Sequence, residues 1–327
     1  MNILVTGGAG YIGSATAAKL IEDGHTVTVF DSLVTGHREA IPSAAKFIHA
    51  DLGDPLAVKE AFEQNSFDAI LHFAAFIEAG ESMKDPGKFF RNNLAYTLNL
   101  LDDAVKHGVS KIVFSSTAAV FKSSELPLGE DSEIEPANAY GFSKYAVEQS
   151  LEWYRRIYGM RYAVLRYFNA SGALPDRGEA HQPESHLIPR IMAVALGQAT
   201  HATIFGTDYP TPDGTCIRDY IHISDLVSAH LLALGALEQQ DKLVYCLGSG
   251  NGYSVRQVIE MVEKVSGKSI PIVEEARRAG DAARLIASSE KIKKELGWKP
   301  QNDDLEKIIR SAWDWHHSHP NGYHPED

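Results

Sequence analysis

The chain has 327 residues, enough for one large domain or two joined domains, and 44% of them are hydrophobic, as in globular proteins. With 31 Lys and Arg against 43 Asp and Glu, the formal net charge is -12, which argues against nucleic acid or an anionic membrane as the main partner. Two cysteines without a paired spacing, a strand-like start and the lack of a long apolar run predict a soluble, cytoplasmic protein without a metal site.

The chain opens with a predicted strand, a glycine loop over residues 7–13 and a helix. Gly7, Gly10 and Gly13 allow a tight turn and a close approach of the backbone to a pyrophosphate, and the helix N-terminus offers amide donors. A second predicted strand ends in Asp31, whose carboxylate can accept from both hydroxyls of an adenosine ribose. Because that carboxylate would repel a 2′-phosphate, the pattern favours NAD over NADP.

Apolar strands alternate with helical segments through the first half of the chain, which is typical of an α/β protein with a doubly wound parallel sheet, the Rossmann fold. Ligands of such sheets bind at the carboxyl ends of the strands. We therefore expect one crevice to be lined by Asp51, Leu52, Phe73, Ala74, Ala75, Ser115, Ser116, Thr117, Phe168 and Asn169. The predicted strands are Asn2–Thr6, His25–Phe30, Lys46–Ala50, Asp68–Phe73, Lys111–Ser115 and Tyr162–Phe168.

The pattern changes after residue 170, where we predict the boundary between a cofactor-binding domain (1–170) and a smaller C-terminal α/β substrate domain (171–327). A buried strand near residues 240–250 is expected to return to the main sheet. A proline- and glycine-containing loop over residues 205–218 is too long for a simple turn, which predicts a functional loop. The histidine-containing end, residues 316–327, is compatible with a metal-binding tail, but a frayed polar terminus is the favoured reading.

Tyr140 and Lys144 stand four residues apart on a predicted helix that ends at Gly159. That spacing places a phenol and an ammonium on one helix face. The helix alone leaves two readings open: a Lys that lies along apolar surface beside a core Tyr, or a pair with a chemical task. The same face is predicted to point inward and to continue through Val147, Leu151, Tyr154 and Tyr158.

The crevice favours the second reading. A phenol has a reference pKa of about 10, and bringing it to about 7 requires roughly 4 kcal/mol. A Lys144 cation about 5 Å away contributes on the order of 3 kcal/mol, and a positive nicotinamide ring can supply the rest. Thr117, at a strand end, is placed to hydrogen-bond a substrate hydroxyl. Asn92, at the front of a predicted helix over residues 92–107, reaches the cofactor or caps a local turn.

Further motifs extend over nearly the whole chain. They are Thr6–Gly13, His72–Ala74, Gly80–Ser82, Leu165–Asn169, Ile204–Gly206, Asp208–Thr211, Asp213–Thr215, Arg218–His222, Arg277–Arg278 and Gly280–Asp281. With these residues the chain resembles the extended short-chain dehydrogenase/reductase superfamily and, within it, the UDP-glucose 4-epimerases.

The resemblance implies NAD-dependent 4-epimerisation of a UDP-hexose, UDP-glucose or UDP-galactose, through a transient 4-keto intermediate. It implies that Tyr140 is the base and acid, that Thr117 assists at the 4-hydroxyl, and that Lys144 tunes Tyr140 and holds the nicotinamide ribose. The positions implied for NAD are Tyr11, Ile12, Asp31, Ser32, Asp51, Leu52, Phe73, Ala74, Asn92 and Phe168. Those implied for the UDP-sugar are Asn169, His186, Leu187, Phe205, Arg218, Tyr220, Arg278 and Asp281.

Several alternatives stay open on the same scaffold. A UDP-N-acetylglucosamine or UDP-pentose 4-epimerase would share these motifs. A 4,6-dehydratase resembles its relatives in placing Asp-Glu after the catalytic Thr, whereas Ala118 and Ala119 stand here and cannot move a proton. A decarboxylating relative usually has an acid at the second of these positions. A non-catalytic NAD-binding sensor is the alternative from another class.

Two departures from the better-known epimerases bear on the prediction. Many have a Gly and then a cofactor-contacting Lys after the motif that ends at Ala74, whereas this chain has Ala75, Phe76, Ile77 and Glu78. We therefore expect NAD to be held less tightly. Family members also differ in bulk at Leu285, where size helps to decide whether an N-acetyl group fits.

Apolar residues outside the inward faces of two neighbouring helices predict a symmetric four-helix contact, and hence a homodimer, as the resemblance implies. These residues are Phe142, Tyr145 and Trp153 on one helix and Tyr96 and Leu100 on the preceding helix.

Overall fold

The computed structural model describes residues 1–278 and 281–323, so Gly280 and the end of the tail, residues 324–327, lie outside the described residues. The strands are β1 (Asn2–Thr6), β2 (Thr26–Asp31), β3 (Lys46–His49), β4 (Ala69–His72), β5 (Lys111–Thr117), β6 (Arg161–Tyr167), β7 (Asn169–Ser171), β8 (Ala202–Phe205), β9 (Ile217–His222), β10 (Lys242–Leu247), β11 (Gly252–Ser254), β12 (Ile272–Glu275) and β13 (Arg284–Leu285). The helices are α1 (Tyr11–Glu22), α2 (Pro55–Glu63), α3 (Ala79–Ser82), α4 (Pro86–Phe89), α5 (Tyr96–Lys106), α6 (Ala139–Tyr158), α7 (Leu187–Ala195), α8 (Ile223–Ala236), α9 (Val255–Ser266), α10 (Glu290–Leu296) and α11 (Leu305–Ser318). Arg38–Ala40 and Ala118–Val120 form 3-10 turns, and Phe90–Ala95 form a π-helical segment.

A seven-stranded sheet in the order β10-β6-β5-β4-β1-β2-β3 dominates the fold and confirms the predicted α/β class. β1 pairs in parallel with both β2 and β4, and β5 and β3 extend the sheet on the two sides. The strand order reverses at β1, so the loop that follows β1 lies at a topological switch point. β10, the strand in the 240–250 region, lies at the edge of this sheet beside β6.

The described chain divides into two compact units, each built from several stretches of sequence. The first comprises residues 1–122, 130–166 and 227–245, and the second comprises residues 123–129 and 167–226 together with the described residues from 246 onward. The division at residues 1–170 and 171–327 remains our proposal for the functional domains.

The core of the first unit is formed by strands that are apolar on both faces, as expected for a parallel sheet covered by helices. Ile70 of β4 and Ile112 of β5 are fully buried and belong to one cluster with Leu101 of α5 and Leu151 of α6. This packing holds α6 against the sheet, which positions the residues at its N-terminus.

Asp219 on β9 organises the second unit. Its side chain is fully buried, and its carboxylate accepts from the backbone amides of Ser249 (2.8 Å), Gly250 (3.0 Å) and Ala287 (3.0 Å). The Ser249 hydroxyl adds a bond of 2.7 Å. Because buried amides need a hydrogen-bond partner, this carboxylate connects β9 to the loop after β10 and to the segment after β13.

The helix predicted over residues 92–107 differs in its first turns, because the π-helical segment Phe90–Ala95 precedes α5. One extra residue per turn changes the face that the following residues present. Leu100, predicted on the exposed dimer face, is 1% exposed and lies in the core, so that prediction is wrong. Tyr96 is partly buried against the same core.

Two other predictions need correction. Tyr158, predicted to point inward, is 58% exposed, because it is the last residue of α6 before Gly159 ends the helix in the left-handed conformation. The tail is ordered further than predicted, since α11 includes His316 and the His319 ring stacks on Trp315 at 3.8 Å.

Among the residues that the structure describes, none of the helices combines the length and the apolar character that crossing a membrane would require.

Candidate active site

The loop after β1 brings the backbone close to the neighbouring strand. Gly7 has a φ of +71°, and a Cβ there would lie 2.5 Å from the Ala74 nitrogen, so only glycine fits. α1 then begins at Tyr11, and its N-cap residue, Gly10, offers no side chain to the amides of the first turn. Amides that lack a side-chain cap suit a phosphate ligand. Gly13 is buried within α1, and the Ile12 carbonyl accepts from Thr16 Oγ1 at 2.8 Å.

Asp31 lies beside this loop at the end of β2, as predicted from its spacing. Its two carboxylate oxygens accept from the amides of Ala9 (2.9 Å) and Leu33 (2.8 Å). Burial raises the pKa of this carboxyl, and the two amide hydrogen bonds oppose that rise. A carboxylate oxygen has a second lone-pair direction, so Asp31 can still accept from ribose hydroxyls. The Ser32 carbonyl lies 3.3 Å from His49 Nε2.

The residues predicted after β3, β4 and β5 lie in the same unit as the glycine loop. The amides of Phe73 and Ala74 donate to the Thr6 carbonyl at 2.9 and 3.2 Å, and Ala75 follows them half-buried. Asp51 is exposed and accepts from the Gly53 amide at 2.6 Å. Leu52 and Ser115 are buried.

Asn93 is a residue that the sequence analysis missed in favour of its neighbour. Its side-chain nitrogen donates to the Phe76 carbonyl (2.9 Å) and to Ser143 Oγ (3.0 Å), and its oxygen accepts from the Phe76 amide (2.9 Å). Asn92 donates to Asn93 Oδ1 at 2.9 Å, which fits the local role left open for it. Asn93 therefore connects the segment after β4 to α6, next to Lys144. Its position in a helical segment gave no signal.

The Thr117 hydroxyl lies close enough to the Tyr140 phenol to lower its pKa, and this pair is the centre of the site. Thr117 ends β5 and accepts from the Ala119 amide at 3.1 Å, which fixes its side chain. Asn138 caps α6 by accepting from the Gly141 amide at 2.8 Å. A Cβ on Gly141 would lie 2.2 Å from the Ala119 carbonyl oxygen, so glycine lets the start of α6 approach the turn after Thr117.

Lys144 lies one helical turn further along α6 and is 3% exposed. Its ammonium sits over the ring of Phe114, 4.7 Å from the centroid. Burial lowers the pKa of Lys144 to about 7, and the negative charge of Glu148 opposes this fall. Near neutral pH, therefore, both the ammonium and the neutral amine are populated.

The electrostatics of Tyr140 differ from our prediction. Burial raises the pKa of Tyr140 to about 12, the hydrogen bond with Thr117 lowers it, and the charge of Glu78 raises it. The sequence predicts that Lys144 supplies most of a shift towards neutrality. Instead, the cost of placing a phenolate in low-polarity surroundings dominates, and burial also lowers the pKa of Lys144.

A buried ion pair behind Lys144 was also missed. Glu148, 4% exposed, accepts from Arg166 Nη2 (2.6 Å), Arg166 Nε (3.1 and 3.2 Å) and Ser116 Oγ (2.5 Å). The Arg166 guanidinium lies over the Phe121 ring at 5.2 Å. Glu148 is four residues after Lys144 on α6, so an i, i+4 search for acids could have found it.

We expect Glu78→Gln to move the rising limb of the pH–rate profile to lower pH. Removing this negative charge lowers the pKa of Tyr140, so more phenolate forms at a given pH. Because Glu78 is half-buried, the gain in kcat below the pKa should be modest, up to about fivefold. The measurement is kcat against pH for the wild type and the variant. Glu81→Gln, in the same short helix but paired with Lys88, is the control, and an equal shift in both variants would contradict the prediction.

In the second unit, the structure brings Arg218 and Asp281 together. Arg218 Nη2 lies 3.4 Å from Asp281 Oδ1, and its Nη1 donates to the carbonyls of Ile217 (3.0 Å) and Ala282 (2.8 Å). Leu285 of β13 pairs in register with Arg218 of β9. The guanidinium is therefore fixed by backbone carbonyls before any diphosphate binds.

The other predicted substrate residues are distributed over the same unit. The Arg278 guanidinium stacks on the Phe205 ring, 3.7 Å from its centroid. Asn169 Nδ2 donates to the Asp219 carbonyl at 2.7 Å. Burial raises the pKa of the Tyr220 hydroxyl.

Three further residues lie near a helix start or a strand end of this unit. His186 is the N-cap residue of α7, Leu187 begins that helix, and Phe168 is buried with its amide donating to the Leu247 carbonyl at 3.1 Å.

Comparison with known proteins identifies the family. The sequence model of the NAD dependent epimerase/dehydratase family matches residues 3–248. The chain belongs to that family. It is 51% identical to a UDP-glucose 4-epimerase of Streptococcus mutans, over 100% of both chains. This confirms the resemblance to the UDP-glucose 4-epimerases.

Solved structures of family members agree with this assignment. A crystal structure of a UDP-glucose 4-epimerase matches with a TM-score of 0.97 at 45% identity, covering 99% of this chain and 100% of that chain. The Bifidobacterium longum UDP-glucose 4-epimerase, solved in complex with NAD+ and UDP, matches with a TM-score of 0.94 at 36% identity, covering 98% and 100%.

Proposed function

We propose that this protein is a UDP-glucose 4-epimerase, an isomerase that interconverts UDP-glucose and UDP-galactose with NAD. The observation that carries the proposal is the placement of Thr117 at the end of β5 close to Tyr140 at the start of α6, one helical turn before buried Lys144. It occurs in a chain that matches a UDP-glucose 4-epimerase over its full length. Ala118 and Ala119 after Thr117 provide no acid for a dehydration, which supports oxidation and re-reduction at one carbon.

The first unit offers residues that fit NAD. The Gly7–Gly13 loop lets the backbone approach a pyrophosphate, the first-turn amides of α1 face that loop without a side-chain cap, and Asp31 is anchored to receive ribose hydroxyls. Phe73, Ala74 and the segment after β3 would contact the same cofactor. When bound, NAD supplies a hydride acceptor for C4 of the sugar and returns that hydride in the second half of the cycle.

Tyr140 would act as base and acid in turn. As a phenolate it takes the proton of the 4-hydroxyl while hydride leaves C4, which produces a 4-keto sugar, and it returns the proton when hydride is added to the opposite face. Thr117 orients that hydroxyl, and the protonated fraction of Lys144 favours the phenolate. Because burial disfavours the phenolate, a positively charged nicotinamide ring near Tyr140 would favour it further.

The second unit offers groups that fit the nucleotide part of the substrate. Arg218 and Arg278 present planar guanidinium groups of the kind that bind a diphosphate through two parallel hydrogen bonds. Asp281 can accept from a ribose or uracil donor. Anchoring by the diphosphate rather than by the hexose would leave the 4-keto sugar able to turn over.

The decisive experiment is incubation of the purified protein with UDP-glucose without added NAD, followed by separation of the products. The expected result is UDP-galactose in an amount that increases with time. If UDP-glucose stays unchanged both without NAD and with NAD added, the proposal is refuted. UDP-N-acetylglucosamine and UDP-xylose in parallel reactions define the sugar range. Half-buried Leu285, paired in register with Arg218, is of intermediate size, and we propose that UDP-N-acetylglucosamine is also accepted.

We propose further that the protein acts in the cytoplasm as a homodimer. Phe142 (50%), Trp153 (59%) and Ile157 (64%) are exposed on α6, which is more apolar surface than a solvent-facing helix normally presents. The low cysteine content fits a reducing compartment.

Light scattering tests the homodimer. The wild type should have the mass of a dimer, and Trp153→Glu should shift it to the monomer mass, because a charge would be buried unpaired in the contact. Leu56→Glu, on an apolar residue that is 70% exposed on α2, is the control and should remain dimeric. A monomeric wild type would contradict this part of the proposal.

A further inference from the structure

A group of metal-binding side chains lies in the loop between β7 and α7. Glu179, His181, Glu184 and His186 each offer one ligand atom, and these atoms all lie within 4.8 Å of one another. We propose that these four residues form a structural site for a divalent transition metal, with Zn²⁺ as the preferred ion, in which the His186 side chain is a metal ligand and not the UDP-sugar contact that the resemblance implies. The spacing Glu-x-His-x-x-Glu-x-His carried this signal in the sequence, but we predicted no metal there.

The donor set has the chemistry of such a site. Two imidazole nitrogens and two carboxylate oxygens suit Zn²⁺ better than Ca²⁺ or Mg²⁺, which prefer oxygen ligands alone. With bonds of about 2.0–2.2 Å, ligand atoms around a tetrahedral zinc lie about 3.3 Å apart. His186 Nδ1 is 2.8 Å from Glu184 Oε1 and 3.9 Å from Glu179 Oε1, and His181 Nδ1 contacts Glu179 Oε1. Small adjustments of these side chains therefore suffice for coordination.

Burial and charge favour a cation at this point. The Glu179 side chain is only 8% exposed, those of His181 and Glu184 are 19% and 22% exposed, and that of His186 is 40% exposed. Two carboxylates beside two metal-bound, neutral imidazoles carry a charge of about -2. One divalent cation neutralises that charge.

The loop is held at both ends, which keeps the four ligands near one another. At its start, Gly178 packs against the indole of Trp315, and the Tyr323 hydroxyl bonds to the Gly178 amide at 3.1 Å and to its carbonyl at 3.2 Å. At its end, the His186 amide donates to Glu184 Oε1 at 2.6 Å, and α7 follows into the core of the second unit. A bound metal would fix the segment that leads into α7.

The geometry favours this loop over the histidines near the C-terminus as the metal site. The His317 ring lies 5.3 Å from the Trp313 ring, and the His319 ring stacks on Trp315 at 3.8 Å. Both imidazoles are thereby engaged with aromatic neighbours, and neither belongs to the group of mutually close ligand atoms.

The test is the zinc content of protein that carries no polyhistidine tag. Chelator-treated protein is loaded with Zn²⁺, freed of excess metal by gel filtration and analysed by mass spectrometry for bound metal. The wild type should retain about one equivalent per chain, and His181→Ala and Glu179→Gln should each retain less than about one fifth of that. His201→Ala, an exposed histidine of the same unit, should retain the wild-type amount.

A second measurement guards against loss of folding in the variants. Zn²⁺ should raise the Tm of the wild type and of His201→Ala, because a ligand that binds only the folded protein stabilises it. It should leave the Tm of the near-isosteric Glu179→Gln unchanged, because that variant lacks one of the ligands. Failure of the wild type to retain zinc would overturn the proposal. Equal retention by His181→Ala, or loss of zinc in His317→Ala instead, would also overturn it. Metal content is measured without substrate, so this result is separate from the outcome for epimerase activity.

Discussion

Tyr140→Phe is expected to lower kcat by about 10²–10⁴-fold while leaving the KM for UDP-glucose nearly unchanged, which is the effect of removing a general base. The phenyl ring keeps the packing at the start of α6, and only the hydroxyl that contacts Thr117 is lost. Turnover of UDP-galactose by the variant and the wild type, with circular dichroism and bound-nucleotide absorbance as checks on the fold, measures the effect.

Tyr158→Phe provides the matched control for this substitution. It removes a hydroxyl at the other end of the same helix, where the residue is 58% exposed, and should keep the wild-type kcat within about twofold. A Tyr140→Phe enzyme with full turnover would remove the base from the proposed mechanism.

Glu148→Gln is expected to lower the free energy of unfolding by about 3–5 kcal/mol, because it leaves the buried guanidinium of Arg166 without its anion. It should also reduce kcat near neutral pH. The charge of Glu148 raises the pKa of Lys144 against the effect of burial, so without it less of Lys144 is protonated to favour the phenolate. Urea unfolding measures the stability, and the pH dependence of kcat measures the effect on Lys144.

The double variant Glu148→Met/Arg166→Met separates the two effects. Replacing both charged residues creates a buried apolar contact in place of the ion pair. It should recover most of the free energy of unfolding that Glu148→Gln loses, because a buried ion pair and an apolar pair often contribute similarly to stability. The kcat near neutral pH should stay low, since Lys144 still lacks the opposing charge. Glu63→Gln, whose pair with Lys59 is exposed, should change the unfolding free energy by no more than about 0.5 kcal/mol. A Glu148→Gln variant as stable as this control would contradict the prediction.

Much of the first unit could be predicted because its signals are contiguous in sequence. Strand, glycine loop, helix and Asp31 follow one another within one βαβ unit, so local spacing decides their roles. Tyr140 and Lys144 are likewise four residues apart on one helix. The errors arose where a local irregularity intervened, as in the π-helical segment before α5 that turned Leu100 into the core.

The residues of the candidate site are a prediction from the sequence, and only the structure bears on their energetics. The pKa values of Tyr140 and Lys144 depend on burial, and burial depends on every element packed around α6. Arg166, which pairs with Glu148, lies on β6. No short-range sequence pattern predicts that these two residues meet. Asn93 was missed for the same reason, and the effect of Glu78 on Tyr140 could not be predicted from the sequence.

The sequence by itself determined the parallel α/β class, and it predicted the glycine loop and the Tyr140 and Lys144 pair as candidate site features, because each rests on short-range periodicity and spacing. Only the tertiary structure decided which charges are buried together. The pair of Glu148 with Arg166, the amide bonds to Asp219 and the approach of Glu179 to His186 depend on how the chain packs. A charge is costly to bury and becomes stable only when a partner of the opposite sign or a set of donors arrives from elsewhere in the fold.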